Sequence, residues 1–142
     1  QNIFQNMDCI FCKISNKEIP TRIITDTKNS IAFLDAFPLS AGHTLVIPKN
    51  HYEKIQDMPD EVSVDLFSTV HKIIPKIDKI SGATLLAIHN GKESGQEIPH
   101  VHVHLIPRRS DDLAGPVHNM FKNKPKLSDE ELDELCAKIK NS

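Results

Sequence analysis

The run His100-Val101-His102-Val103-His104 concentrates more potential chemistry than any other part of this sequence. Side chains alternate between the faces of a strand. An extended run therefore puts His100, His102 and His104 on one face and Val101, Val103 and Leu105 on the other. The apolar triplet is what a core-packed face requires, whereas three imidazoles in a row are an odd way to complete a core. Successive histidines on such a face lie roughly 6.6 Å apart along the strand and the outer pair roughly 13 Å. Zinc takes imidazole nitrogens at about 2.0–2.1 Å, so two neighbours can share an ion but three cannot easily do so. A row of catalytic imidazoles accounts for the pattern better than one metal or a merely polar sheet face. An imidazole attacks as a neutral group, and its ordinary pKa near ~6.5 leaves it largely neutral close to pH 7. Attack through one ring nitrogen requires the proton on the other to be held, typically by a backbone carbonyl. Flanking imidazoles can then donate to phosphate oxygens and stabilise the charge that develops there.

The loop ahead of the triplet, Asn90-Gly91-Lys92-Glu93-Ser94-Gly95-Gln96, suits that chemistry. Its two glycines let backbone approach a ligand closely, and the amides from Gly95 to Glu97 are candidates for an anion-binding nest. A plain hairpin connection would look similar, so the loop gains meaning only from its place before the histidines. Cys9-x-x-Cys12 is a second feature with metal-ligand spacing, although two cysteines supply half a tetrahedral site. A redox pair and plain buried thiols are the other readings. His71 on a helix, His118 in a loop and Cys136 on a helix read as surface or small apolar positions.

The elements that must position these residues follow from periodicity and breakers. A short helix or turn around Cys12 to Lys17 precedes Ile19-Pro20. Arg22 to Thr25, Ser30 to Leu34 and His43 to Ile47 read as strands, the last closed by Pro48. Val62, Leu66, Val70, Ile73, Ile74, Ile77 and Ile80 recur at spacings of three and four, which predicts an amphipathic helix from about Pro59 to Ile80. Pro75 should kink or divide it. Thr84 to Ile88 and Val101 to Ile106 complete five strands. Ser128 with Glu131 forms a capping box before a last helix lined by Leu132, Leu135 and Ile139. Short connections favour hairpins, so the expectation is an α+β fold on a largely antiparallel sheet of about five strands, with a long helix and a C-terminal helix.

With 142 residues the chain fits one domain with a core at 8–109 and a C-terminal extension at 110–142. A net charge of −2 argues against a general nucleic-acid binder. No apolar run approaches the ~20 residues of a membrane span, and three cysteines fit a reducing cytoplasm better than a disulfide framework. Met7 directly precedes the first patterned segment, which suggests that residues 1–6 are a leader or a cloning remnant.

The sequence resembles the histidine triad (HIT) family, whose hallmark is His-x-His-x-His flanked by apolar positions. Ile-Phe-Cys-Lys-Ile at 10–14 with Glu18-Ile19-Pro20, Ala32-Phe33-Leu34-Asp35, Gly42-His43-Thr44-Leu45-Val46-Ile47-Pro48, and Gly95-Gln96 occur in the expected order. The resemblance covers about residues 8–109 and is nearest the Hint-like branch of bacterial type. It implies an α+β homodimer made by joining two sheets, and hydrolysis or transfer at the α-phosphate of a purine nucleotide through a nucleotidyl-histidine intermediate. It assigns His102 as nucleophile, with His104 and His43 supporting the phosphate and orienting the nucleophile. Asp35 would bind the ribose hydroxyls, for which an acceptor-only carboxylate is suited. Phe11, Ile14, Ile19 and Phe33 look like walls of a base pocket, and equally like ordinary core. The resemblance also completes the cysteine pair: His51 and His100 join Cys9 and Cys12 as ligands of a structural zinc, as in several bacterial members, with no organic cofactor.

Two departures bear on specificity. The family commonly has an amide eleven positions before the first triad histidine, where this chain has His89 followed by Asn90. Either could replace it. The third triad position is histidine, whereas the nucleotidyl-transferase branch typically has glutamine, which favours hydrolysis. The substrates implied are nucleoside phosphoramidates or related adenylated compounds. Dinucleoside polyphosphates are the alternative, and a nucleotide-binding or scaffolding role with incidental turnover is the reading from another class.

Overall fold

Alternation along two central strands sorts their side chains into two cores. In the computed structural model, which describes residues 6–142, β2 (Ser30–Leu34) and β3 (Thr44–Pro48) pair antiparallel with Phe33 opposite Leu45 and Ile31 opposite Ile47. These four point to one face, where Cys9, Phe11, Cys12 and Ile14 join them. Ala32 and Val46 point to the other, against the long helix. The five-stranded sheet has the order β1-β2-β3-β5-β4, with β1 at Ile23–Asp26, β4 at Ala83–Ala87 and β5 at Val103–Arg108. All its pairings are antiparallel. Apart from Asn6, the residues expected to form a leader lie outside those described.

β5 is where the two faces matter most. Val103 and Leu105 join Ala32 and Val46 under the helix, and His104 sits opposite Leu45 on the other face. The expected strand from Val101 starts instead at Val103, because the ladder to β3 ends at the Val46–Val103 pair. The alternation nevertheless runs on through the unpaired residues. Val101 remains in the helix-side core, its amide donating to the Tyr52 carbonyl at 2.7 Å.

The periodic apolar residues form α2 (Asp60–Ser81), which lays Val62, Leu66, Val70, Ile73 and Ile77 on the sheet. Pro75 does not divide it: the helix continues unbroken on both sides. Pro75 and His71, whose carbonyl loses its amide partner, are both exposed, so water can satisfy that carbonyl while Ile73 and Ile77 hold the turn to the core. Gly82 ends the helix at φ 103°. On the opposite face lies a shorter helix, α1 (Ile10–Ser15).

The chain forms two compact units, one up to Asp111 and one from Asp112 to Ser142. The second holds a helical turn at Val117–Met120 and α3 (Asp129–Lys140). Both arms of the capping box form: Glu131 N–H donates to Ser128 Oγ, and Ser128 N–H donates to Glu131 Oε1, each at 3.1 Å. Among the described residues no helix is long and apolar enough to cross a membrane.

Packing on α2 sets the stability of the sheet unit. Leu66→Ala, at a position with no exposure, should cost about 2–5 kcal/mol by cavity formation. Val64→Ala, at a position that is 70% exposed on the same helix, should stay within about 0.5 kcal/mol. Urea unfolding of the two variants measures the difference.

Candidate active site

The chemistry of the histidine row is set by which nitrogen of each ring carries the proton. His102 places Nδ1 at 2.7 Å from the carbonyl oxygen of His100. A carbonyl only accepts, so Nδ1–H is the donor and Nε2 keeps a free lone pair. Phe11 packs edge-on against this ring with centroids 4.9 Å apart, fixing its orientation from the α1 side. Burial pushes the His102 pKa down, opposed by the bond to the His100 carbonyl. The neutral, single-tautomer form is the one required for nucleophilic attack.

A second proton arrangement starts in the loop before β3. The backbone N–H of Leu39 donates to His43 Nδ1 at 3.0 Å, which leaves the neutral ring's proton on Nε2. His43 Nε2 lies 3.0 Å from His104 Nδ1 and therefore donates to it. His104 must then carry its own proton on Nε2, as a donor. This relay depends on a tight loop. Gly42 adopts φ 98°, where an added Cβ would come within 3.2 Å of Pro107, and Ser40 Oγ donates to the Pro107 carbonyl at 2.7 Å. Burial is the main cause that lowers the pKa of His43 and takes His104 down to about 4; for His104, His102, His43 and His89 add to the shift. Asp35 opposes both shifts, with Oδ2 3.7 Å from His43 Nδ1 and Oδ1 accepting from Phe37 N–H.

The rings of His102, His104 and His89 follow one another at centroid separations of 5.0 and 5.6 Å. His89, of the two residues singled out at the family's amide position, is thus the one beside the row. Asn90 is engaged elsewhere: its Oδ1 accepts from Ile55 N–H and its Nδ2 donates to Gln56. Gln96 pins the loop, accepting from Gly91 N–H and donating to the carbonyls of Glu53 and Ile98. The amides of Gly95 and Gln96, expected in an anion nest, bond inside the turn to the carbonyls of Lys92 and Gly91. Gly95 has φ 105° and brings its backbone against the His89 ring. The expected wall residues Phe11, Ile14 and Phe33 share one buried cluster, and Ile19 packs against it.

His100 turns its ring away from the row. Its Nε2–H donates to the Pro48 carbonyl at 2.8 Å, which leaves Nδ1 facing Cys9 Sγ at 3.4 Å and Cys12 Sγ at 3.6 Å. His51 Nδ1 lies 3.3 Å from Cys12 Sγ. All four donor atoms are within 4.8 Å of one another. A tetrahedral ion with bonds of about 2.3 Å to sulfur and about 2.05 Å to nitrogen separates such donors by about 3.6 Å. The observed spacing suits a metal. Both cysteines are buried and free, and burial raises the Cys12 thiol to about 11. A cation would reverse that shift, since it binds the thiolate. His71, His118 and Cys136 are exposed. The Leu39 amide and the Pro48 carbonyl had no signature in the sequence, because a backbone group acts through its position alone.

A HIT domain matches residues 16–111. The chain belongs to the HIT family. It is 39% identical over 133 residues to an uncharacterized HIT-like protein of Methanocaldococcus jannaschii, covering 93% of this chain and 98% of that one. It is 37% identical over 138 residues to an adenosine 5'-monophosphoramidase of Schizosaccharomyces pombe, covering 94% and 100% respectively. The crystal structure of a histidine triad nucleotide-binding protein from Candida albicans superposes with a TM-score of 0.81 at 30% identity, covering 94% of this chain and 96% of that one.

Holding His104 neutral links the site to stability. Between the ordinary imidazole value near ~6.5 and the value of about 4 in the fold, the unfolded chain binds a proton that the folded chain does not. This contribution is fully present above about pH 6.5 and is lost as pH falls towards 4. The melting temperature should therefore fall across that window, and less steeply in His104→Gln, as thermal melts at stepped pH will measure.

Proposed function

We propose that this HIT protein is a nucleotide hydrolase that cleaves purine nucleoside phosphoramidates, or related adenylated compounds, at the α-phosphate. The observation that carries this reading is the free Nε2 of His102, with Nδ1–H committed to the His100 carbonyl. In the proposed reaction Nε2 attacks the α-phosphorus and the leaving amine departs with a proton. Water then cleaves the nucleotidyl-histidine bond to release the nucleoside monophosphate. His104, through Nε2–H, donates to a phosphate oxygen as charge builds on it, and His43 keeps that proton in place. Because the nucleophile sits on a buried backbone beside a five-stranded sheet, alignment rather than strong basicity supplies most of the effect.

Asp35 is suited to the ribose hydroxyls, being partly exposed and near His43. Phe11, Ile14, Ile19 and Phe33 offer an apolar side for a purine. The similarity to a monophosphoramidase along nearly the whole chain supports this substrate class. We further infer that Cys9, Cys12, His51 and His100 hold a structural zinc, on the strength of their donor types and spacing. Its positive charge would stabilise both thiolates and tie the start of α1 to the backbone that carries His102. Dimerisation through paired sheets is compatible with β4, an edge strand with Leu86 exposed.

Two experiments test these assignments. His102→Ala should reduce hydrolysis of adenosine 5'-phosphoramidate by at least about 10³-fold while adenosine monophosphate still binds, as followed by product release and calorimetry. Full turnover in that variant would exclude the mechanism. For the metal, purified protein should contain one zinc per chain by elemental analysis, and Cys9→Ser should lose it. Equal metal content in the two proteins would refute this ligand set.

A further inference from the structure

The relay through His43 leaves one need of the reaction unmet. His104 is presented as a neutral donor whose Nδ1 already accepts from His43, so its Nε2 proton can be shared with an oxygen but is costly to give away. The lone pair of His102 is the nucleophile, and His100 has one ring nitrogen on Pro48 and the other among the cysteines. None of these three is free to deliver a proton to a departing amine.

His89 is free. Its ring stands next to His104 at 5.6 Å, at the other end of the row from the His100 ring. Among the described residues neither of its nitrogens has a hydrogen-bond partner, although the residue is half-buried. It is also held in place. Gly95 packs its backbone against the ring so closely that a Cβ added there would come within 3.3 Å of the ring carbon Cδ2. Asn90 and Gln96, the residues that directly follow His89 and Gly95, anchor the chain through Ile55, Gly91 and Glu53. A neutral amide at position 89 could hydrogen-bond to a substrate, but only an imidazole can also carry and release a proton near neutral pH.

We propose that His89 is a further catalytic residue, the general acid that protonates the leaving group; this rests on the hydrolase reading above. As His102 Nε2 forms its bond to phosphorus, the bond from phosphorus to the leaving nitrogen breaks, and the proton of the His89 imidazolium passes to that nitrogen. Neutral His89 then accepts a proton from the water that attacks the nucleotidyl-histidine, which restores both rings and yields amine and nucleoside monophosphate. Nothing is oxidised or reduced. The arrangement suits substrates whose leaving group is a basic amine.

Two adenylated substrates separate this role from mere positioning. One is adenosine 5'-phosphoramidate N-substituted with an alkylamine, which must leave protonated; the other is the p-nitrophenyl ester of adenosine monophosphate, whose leaving group needs no proton. His89→Asn should lower kcat/KM for the amine substrate by about 10²-fold and at least tenfold more than for the aryl ester. Turnover of the ester also reports that the variant is folded. Equal losses on both substrates, or no loss on the amine, would overturn the assignment while leaving the nucleophile in place. His102→Ala should lose both activities together, and wild type inactive on both would remove the hydrolase reading and this one with it.

Discussion

Much of this structure turns on one hydrogen bond, from the ring of His102 to the carbonyl two residues earlier in the chain. It selects the tautomer, aims the free nitrogen, and does so with backbone that cannot rotate away. For the bond to hold, the carbonyl of His100 must itself be immobile. The same residue meets that requirement with its side chain, which is clamped between Pro48 and the two buried cysteines. One residue therefore serves two places: its ring belongs to the cysteine cluster and its carbonyl holds the ring of His102. The backbone of His100 thus connects the cysteine cluster to the ring of His102.

The relay on the other side of the row uses the same economy of parts. Three neutral imidazoles at close range would have interchangeable tautomers if each could choose its partner. Fixed backbone groups remove the choice at both ends, a carbonyl for His102 and an amide for His43. The result is an alternation of character along the row, with an acceptor nitrogen on His102 next to a donor nitrogen on His104. Burial, which lowers the pKa of all three rings, keeps the pattern from being erased by protonation.

What was legible in the sequence, and what was not, follows from the range of each interaction. Strand alternation put the valines and the histidines on opposite faces because it depends only on neighbouring residues, and it survives even where β5 has left its ladder. The 3.6-residue period of α2 was equally plain, and Pro75 misled only because its local cost is offset by packing on either side and by solvent at His71. The cluster that joins Cys9 and Cys12 to His51 and His100 brings together residues far apart in the chain, so residue spacing alone left the cysteines half a site. The tautomers were out of reach altogether. They are set by the Leu39 amide and the two carbonyls of Pro48 and His100, groups that every residue type carries.

The two faces of the sheet divide the energetic work. Neutral polar rings lose hydration when buried, and each must recover it through a hydrogen bond or cost stability. His43, His100 and His102 all do so with backbone partners, in the loop before β3, at the end of β3 and just ahead of β5 respectively. The sheet can hold that geometry because its other face packs on α2 through Ala32, Val46, Val103 and Leu105, and Ser30 hydrogen-bonds Asp65 and Thr69 of the helix. Val101 and Val103 thus constrain the site from behind: they fix the height and direction of the extended backbone that carries His102 and, from the start of β5, His104. A histidine row of this kind needs both the hydrophobic face that anchors it and the backbone groups that tell its rings apart.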